Sequence, residues 1–414
     1  MNHNTESTLS AAFLSPLLDN VESLDGFRNC PSLSDSRWLE TGALRAMSAS
    51  SSGRDFLAQL QMSNREGIGI GHFFGTLRSA RRLRLCQSAA SSVSLQLKGL
   101  RDELAGVPEL DGFDVLAGDG HFHAAAAHDQ RIGGTKYATG HFYGFDLRSR
   151  ALFHLQVADP DRAKEHDMRV LKRTNIDALR QGAPIRRKVL WVWDRAGIDF
   201  LQWYKWKKGS GIYFLSRSKV NMKPETLAEH PWEDGPLNLG VVSDRTVSTS
   251  AGMSVRQVVF KDPVTGKTLT FITNLPLSIP PGVIAQLYRM RWDIEKVFDE
   301  LKNKMGETKA WASSANAKSM QANFLCIAHN LLELQSMVLD TEQDITNKAE
   351  IERKNRVLTQ VKKDNPNGLP KLYLDLQRVT QHSVKLIRWI RYHLWNRTSQ
   401  SLALPQIRAA YDTL

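Results

Sequence analysis

Cysteine is scarce in this chain: Cys30, Cys86 and Cys326 are the only three in 414 residues, far apart and without a Cys-x-x-Cys pair. An odd, scattered set argues against a disulfide framework and a structural zinc site, and suits a reducing compartment. No run of about 18 apolar residues occurs, so no membrane-spanning helix is expected. The opening residues Met1–Ser7 lack the basic-then-apolar layout of a secretion signal. No segment repeats another. Negative charge is in deficit: 43 Asp and Glu against 55 Lys and Arg leave a net +12 and a sequence pI near 9.6. That excess favours an anionic partner, most simply nucleic acid. Hydrophobic content of 42% and charged content of 24% are ordinary for a globular chain, and the length allows two or three domains.

The densest signal is the stretch Tyr288 to Lys302. Read as a helix, it places Tyr288, Arg291, Glu295 and Lys302 within an arc of about 60°. Leu287, Met290, Ile294, Val297, Phe298 and Leu301 fill a separate arc of about 100°, which must face a core. One carboxylate, two cations and a phenol thus share a ridge roughly 20 Å long, suited to a polyanion held over a metal-binding acid. A solvated ion-pair face is the plainer reading of such a helix. The clean separation of the two arcs favours the first.

Residues 8 to 110 read as helices with Ser/Gly breaks, and Arg78, Arg81 and Arg82 share a helical face fit for phosphates or for solvent. The texture then changes. Phe113 to Asp119 is a short apolar strand ending in an acid, followed by strand-like runs at 140–147 and 151–157 joined by the turn Arg148-Ser149-Arg150. A helix is expected over 163–181. Lys188 to Asp194 is a second apolar strand ending in an acid, with a helix over 198–208 and a strand over 211–215 to follow. From 217 to 281 the chain is rich in Val, Thr and turn residues, with a hairpin around Asp262 to Lys267. Pro280-Pro281-Gly282 ends that region. Beyond Lys309 the pattern is helical, with a polar break at 362–368.

Asp119 and Asp194, each ending an apolar strand, would meet if the strands are neighbours in one sheet. Glu295 from a packed helix would complete a three-carboxylate cluster. Such hard oxygen donors suit Mg²⁺ or Mn²⁺, not zinc. Two such ions can drive phosphodiester displacement. Strand-Asp, strand-Asp, helix-Glu in that order is the layout of a ribonuclease-H-like core.

The spacing Tyr288, Arg291, Glu295, Lys302 resembles the Y-R-E-K signature of bacterial insertion-sequence transposases of the group numbered four. Asp119-Gly120-His121 looks like that family's first-acid motif, and Trp193-Asp194-Arg195-Ala196-Gly197 like its second. The resemblance spans about residues 113–310. It implies a DDE transposase that cuts a mobile element from DNA and joins it to a new site. It implies that Asp119, Asp194 and Glu295 bind Mg²⁺ or Mn²⁺, two ions in all. Tyr288, Arg291 and Lys302 would hold phosphates of double-stranded DNA, and Trp292 would offer an aromatic surface to a base. The expected fold is α/β: a ribonuclease-H-like catalytic core over 111–310 carrying a β-rich insertion at 217–281. Helical domains are expected over 1–110 and 311–414, the first for DNA binding, the second for dimerisation or DNA contact. A cytoplasmic, nucleoid-associated homodimer is expected. The alternatives are an inactive transposase-derived DNA-binding protein and a ribonuclease-H-like nuclease or resolvase.

Three further features invite two readings each. His121-Phe122-His123 has the form of a zinc pair in amidohydrolase barrels, but the eightfold strand-helix alternation of a barrel is missing, so His121 is expected near the metal site or in a turn. Trp203 and Trp206 fit the core of an amphipathic helix better than a DNA surface. Lys385, Arg388 and Arg391 share a helical face open to DNA or a second subunit.

Overall fold

The computed structural model describes residues 7–412 apart from 51, 64, 66, 160–164, 223, 250–251, 308, 347, 365–367, 377 and 379. Nine strands make one mixed sheet: β1 (Phe113–His123), β2 (Thr139–Asp146), β3 (Leu152–Val157), β4 (Lys188–Trp193), β5 (Ile212–Arg217), β6 (Thr226–Glu229), β7 (Val241–Ser248), β8 (Ser254–Lys261) and β9 (Thr268–Thr273). Their order across the sheet is β3-β2-β1-β4-β5-β9-β8-β7-β6. β1, β4 and β5 run parallel and the other pairings are antiparallel. The Val/Thr-rich stretch from 217 to 281 therefore extends the central sheet at one edge, through β9 against β5.

β1 and β4 read as unbroken apolar runs because both faces of the sheet are covered. Alternation divides their side chains: Val115, Ala117, Leu190 and Val192 enter one core, while Leu116, Val189, Trp191 and Trp193 enter the other. The first core also takes in the N-terminal helices, the helices of 281–304 and the long helix Ala315–Thr341. On the opposite face lie Met168, Leu171, Leu179, Trp203 and Trp206. Trp203 and Trp206 are thus core residues of the helix Phe200–Ser210, the favoured reading. Edge strand β3 is covered rather than exposed. Asn330 of the long helix accepts from Leu152 N–H and donates to Leu152 C=O, both at 2.9 Å, as a neighbouring strand would.

Several expectations need correction. β1 does not stop at Asp119 but runs on to His123, because β2 continues to pair with it through His123↔Thr139. In place of one helix over 163–181 there are two short ones, Asp167–Arg173 and Ile176–Arg180, with Thr174 and Asn175 closing the first and capping the second; residues 163 and 164 lie outside the described residues. The polar break at 362–368 is entered by helix as far as Asp364, and 365–367 lie outside the described residues. Among the described residues no helix is long and apolar enough to cross a membrane.

Three arginines of the two basic helix faces are engaged inside the protein, while Arg78 and Arg388 of those faces stay exposed. Arg81 grips the buried Asp35 and the Gly26 carbonyl, and Arg82 donates to Thr76 and the Leu33 carbonyl. Arg391 donates to the carbonyls of Met47 and Lys304, tying the C-terminal helix Val384–Asn396 to the end of the Trp292–Lys304 helix. Met47 and Lys304 end their helices, where carbonyls lack intrahelical donors, and Arg391 supplies them.

Candidate active site

The parallel pairing of β1 and β4 runs in register to Ala117↔Val192. Asp119, within β1, and Asp194, the residue after β4, each lie two residues beyond that pair, where the neighbouring strands run about 4.8 Å apart. Gly118, the residue before Asp119, leaves room for Trp193, the residue before Asp194. A Cβ there would stand 2.3 Å from Cζ2 of Trp193, whose ring covers the glycine and stacks on Trp191. Gly118→Ala is therefore expected to displace Trp193, the residue immediately before Asp194, and to destabilise the fold by about 1–3 kcal/mol through overpacking. Chemical denaturation together with DNA cleavage checks this; wild-type values in both would show that Trp193 moves aside without disturbing Asp194.

Asp194 caps the turn that follows it, its Oδ1 accepting from Ala196 N–H at 2.7 Å while Ser216 donates to its main-chain oxygen. Asp119 Oδ1 likewise accepts from Gly120 N–H at 2.8 Å. The third acid arrives on helix Trp292–Lys304. Arg291 joins it to the first, donating from Nη1 to Asp119 Oδ2 at 3.1 Å and from Nη2 to Glu295 Oε1 at 2.7 Å. One guanidinium thus stands between two of the acids. Burial pushes the Asp119 carboxyl up to about 6, with Asp194 and Glu295 adding to the rise and Arg291 and the Gly120 N–H opposing it. Even with Arg291 present, this cluster is short of positive charge.

The stretch expected as one helix is two, Pro281–Met290 and Trp292–Lys304. Arg291 at the junction keeps helical angles, but its N–H reaches Tyr288 C=O and its own carbonyl accepts from Ile294 N–H, a tightened three-residue spacing. The single ridge is lost as a result. Tyr288 turns its ring into the core against Phe271, with centroids 5.0 Å apart, while its hydroxyl interacts with Arg291 and lies in the field of Asp194 and Arg217. Arg291 is buried on the acids. Trp292 and Lys302 remain exposed, Trp292 at 54%. The Arg291 guanidinium lies 5.2 Å from the Trp292 ring centroid, a cation–π contact.

A family comparison gives the class to which the chain belongs. The family described as a transposase DDE domain matches residues 110–331, more than half of the chain. The chain belongs to that family. It is a DDE transposase, and the matched span holds the sheet and all three acids. No curated protein matches it.

In this transposase, sequence reasoning missed Glu307 and the histidines of β2 and β3. Glu307, in the loop after the signature helix, pairs through Oε1 with His121 Nε2 at 2.8 Å. His123 bonds the Tyr143 hydroxyl at 2.8 Å, and His141 stacks on it with centroids 4.0 Å apart. Cross-strand register was the only signal that could have found them, and it is not written in one strand alone. Among the described residues, two groups of His, Cys, Asp or Glu have ligand atoms all within 4.8 Å of one another: His121, His123 and Glu307, and Glu300, His329 and His382. The three acids do not form a group that tight, with Arg291 between two of them.

Proposed function

We propose that this transposase cuts DNA at the ends of its own insertion sequence and joins the freed ends to new DNA, using Asp119, Asp194 and Glu295. The observation that carries the reading is that Asp119 in β1 and Asp194 just after β4 lie on neighbouring strands, with Glu295 linked to Asp119 through Arg291. The donor set fits hard divalent ions: three carboxylates, one of them held high by burial and by its acidic neighbours. Bound there, Mg²⁺ or Mn²⁺, two ions in all, would activate a water or hydroxyl and stabilise the leaving oxygen. The strand order β3-β2-β1-β4-β5 with parallel β1, β4 and β5 supports a ribonuclease-H-like core over 111–310, with 217–281 as its β-rich insertion.

The Tyr288-Arg291-Glu295-Lys302 spacing supports membership of the insertion-sequence group numbered four. In that reading Arg291 and the Tyr288 hydroxyl meet a phosphate lying on the acids, while exposed Trp292 and Lys302 meet the flanking duplex. Residues 1–110 would bind DNA, and 311–414 would contact DNA or a second copy. Two element ends held together call for a homodimer, acting on the nucleoid in the cytoplasm.

The deciding experiment gives the full chain Mg²⁺ and a labelled duplex carrying the element end. Nicked and joined products support the reading. Binding without cutting would favour an inactive DNA-binding protein, and cutting without joining a nuclease or resolvase. Lys302→Ala is expected to weaken end binding and to reduce the salt slope by about 1, as loss of one phosphate contact does. An unchanged slope in a binding titration removes Lys302 from the DNA.

A further inference from the structure

We propose a second metal site, separate from the three acids, formed by His121, His123 and Glu307 and selective for a zinc-like transition ion. His121 and His123 lie two positions apart on β1, so alternation sends both rings to the same face. There they meet one carboxylate. His121 Nε2 lies 2.8 Å from Glu307 Oε1, and His123 Nε2 lies 3.7 Å from Glu307 Oε2. Donors on a tetrahedral zinc at about 2.0–2.1 Å are separated by roughly 3.3 Å, which these two distances bracket.

An independent observation points to a missing ligand. Glu307 is 7% exposed, and its Oε2 is buried without a hydrogen-bond partner. A buried carboxylate oxygen left unbonded is costly, and native proteins rarely carry one without purpose. The group Glu300, His329 and His382 offers the contrast: both Glu300 oxygens accept hydrogen bonds there, so nothing invites an ion.

The chemistry is that of two imidazoles and one carboxylate, the donor set of open zinc sites, and it disfavours Mg²⁺. His121 is held in place by stacking on Phe298, with centroids 4.6 Å apart and planes 16° off parallel. Tyr143 Oη, 2.8 Å from His123 Nε2, is the group the ion would displace or recruit as a further ligand. An ion here would clamp the loop after helix Trp292–Lys304 onto β1, two residues from Asp119. It would fix the strand of the first acid against the helix of the third.

The test strips the full chain with chelator and titrates it with Co²⁺, whose tetrahedral form absorbs intensely in the visible and whose octahedral oxygen-bound form does not. A background carrying Asp194→Asn and Glu295→Gln removes two of the three acids from competition. One equivalent of tetrahedral Co²⁺, displaced by Zn²⁺ and not by Mg²⁺, is expected in both proteins. His121→Ala and Glu307→Gln should each weaken it by more than about 100-fold, beyond the 10–100-fold typical of outer-shell partners. Far-UV circular dichroism in chelator should be unchanged, since His121 is partly exposed and Gln is isosteric with Glu. No tetrahedral spectrum in the wild type, or one indifferent to both substitutions, overturns the site.

Discussion

Glu295→Gln is expected to leave a labelled element end bound and uncut. The substitution keeps the size of the side chain and removes only its charge, and the Glu295 side chain is 36% exposed, so no cavity or buried orphan is created. Arg291 keeps Asp119 as a partner at 3.1 Å, which preserves the link between the helix and β1. What changes is the acid cluster: a neutral amide is a poor ligand for a hard divalent ion. Metal-assisted stabilisation of a displacement transition state is worth several kcal/mol, and about 4 kcal/mol corresponds to roughly 10³-fold in rate. Cleavage measured under single-turnover conditions should fall by about that factor, with the dissociation constant for the end changed little. Asp119→Asn and Asp194→Asn should behave alike. Cleavage retained in Glu295→Gln would take this glutamate out of the chemistry.

The elements that carry the three acids were legible because they depend on local pattern. An apolar run of strand length ending in Asp can be seen in Phe113 to Asp119 and in Lys188 to Asp194 without knowing the fold, and an amphipathic helix fixes Glu295 opposite its apolar face. Where β1 ends was not legible, since Gly120 and His121 look like a turn in sequence but are held as strand by β2. The break at Arg291 was hidden for a similar reason. Every residue from Tyr288 to Lys302 suits a helix, and the tightening shows only in the backbone bonds around Arg291. The arginines at 81, 82 and 391 show the limit of reading charge as surface. A cation on a helix face announces that it needs an anion or carbonyls, and only tertiary structure says whether Asp35, Met47 and Lys304 supply them. The edge-strand extension β6 to β9 followed from β-forming composition, but its place beside β5 did not.

Glu300→Gln is expected to destabilise the fold by about 3–5 kcal/mol, the usual consequence of removing one member of a buried ion pair. Glu300 is fully buried on the helix that carries Glu295 and accepts from His329 Nδ1 at 3.0 Å and from His382, through Nδ1 at 3.0 Å and the main-chain N–H at 2.6 Å. It thus joins the signature helix, the long helix Ala315–Thr341 and the C-terminal segment. Burial alone would raise the Glu300 carboxyl, but His382 and His329 outweigh it and hold the group far below the ordinary range. Burial likewise disfavours the charged form of His382, yet Glu300 and Glu333 raise it above the usual imidazole value. The sign of the pH dependence follows. The raised His382 contributes stability that is full below its unfolded pKa of about 6.5 and is lost as pH climbs through the higher folded value. The lowered Glu300 contributes above its unfolded pKa of about 4.3 and loses that only in strong acid. Read as the difference between wild type and Glu300→Gln in urea denaturation, the contribution of the pair should therefore be level between about pH 4.5 and 6.5 and decline above it. In Glu300→Gln the midpoint should drop throughout, and the alkaline decline should flatten because His382 has lost its first partner. A variant with the wild-type midpoint and the same pH profile would show that the pair is not what joins these three elements.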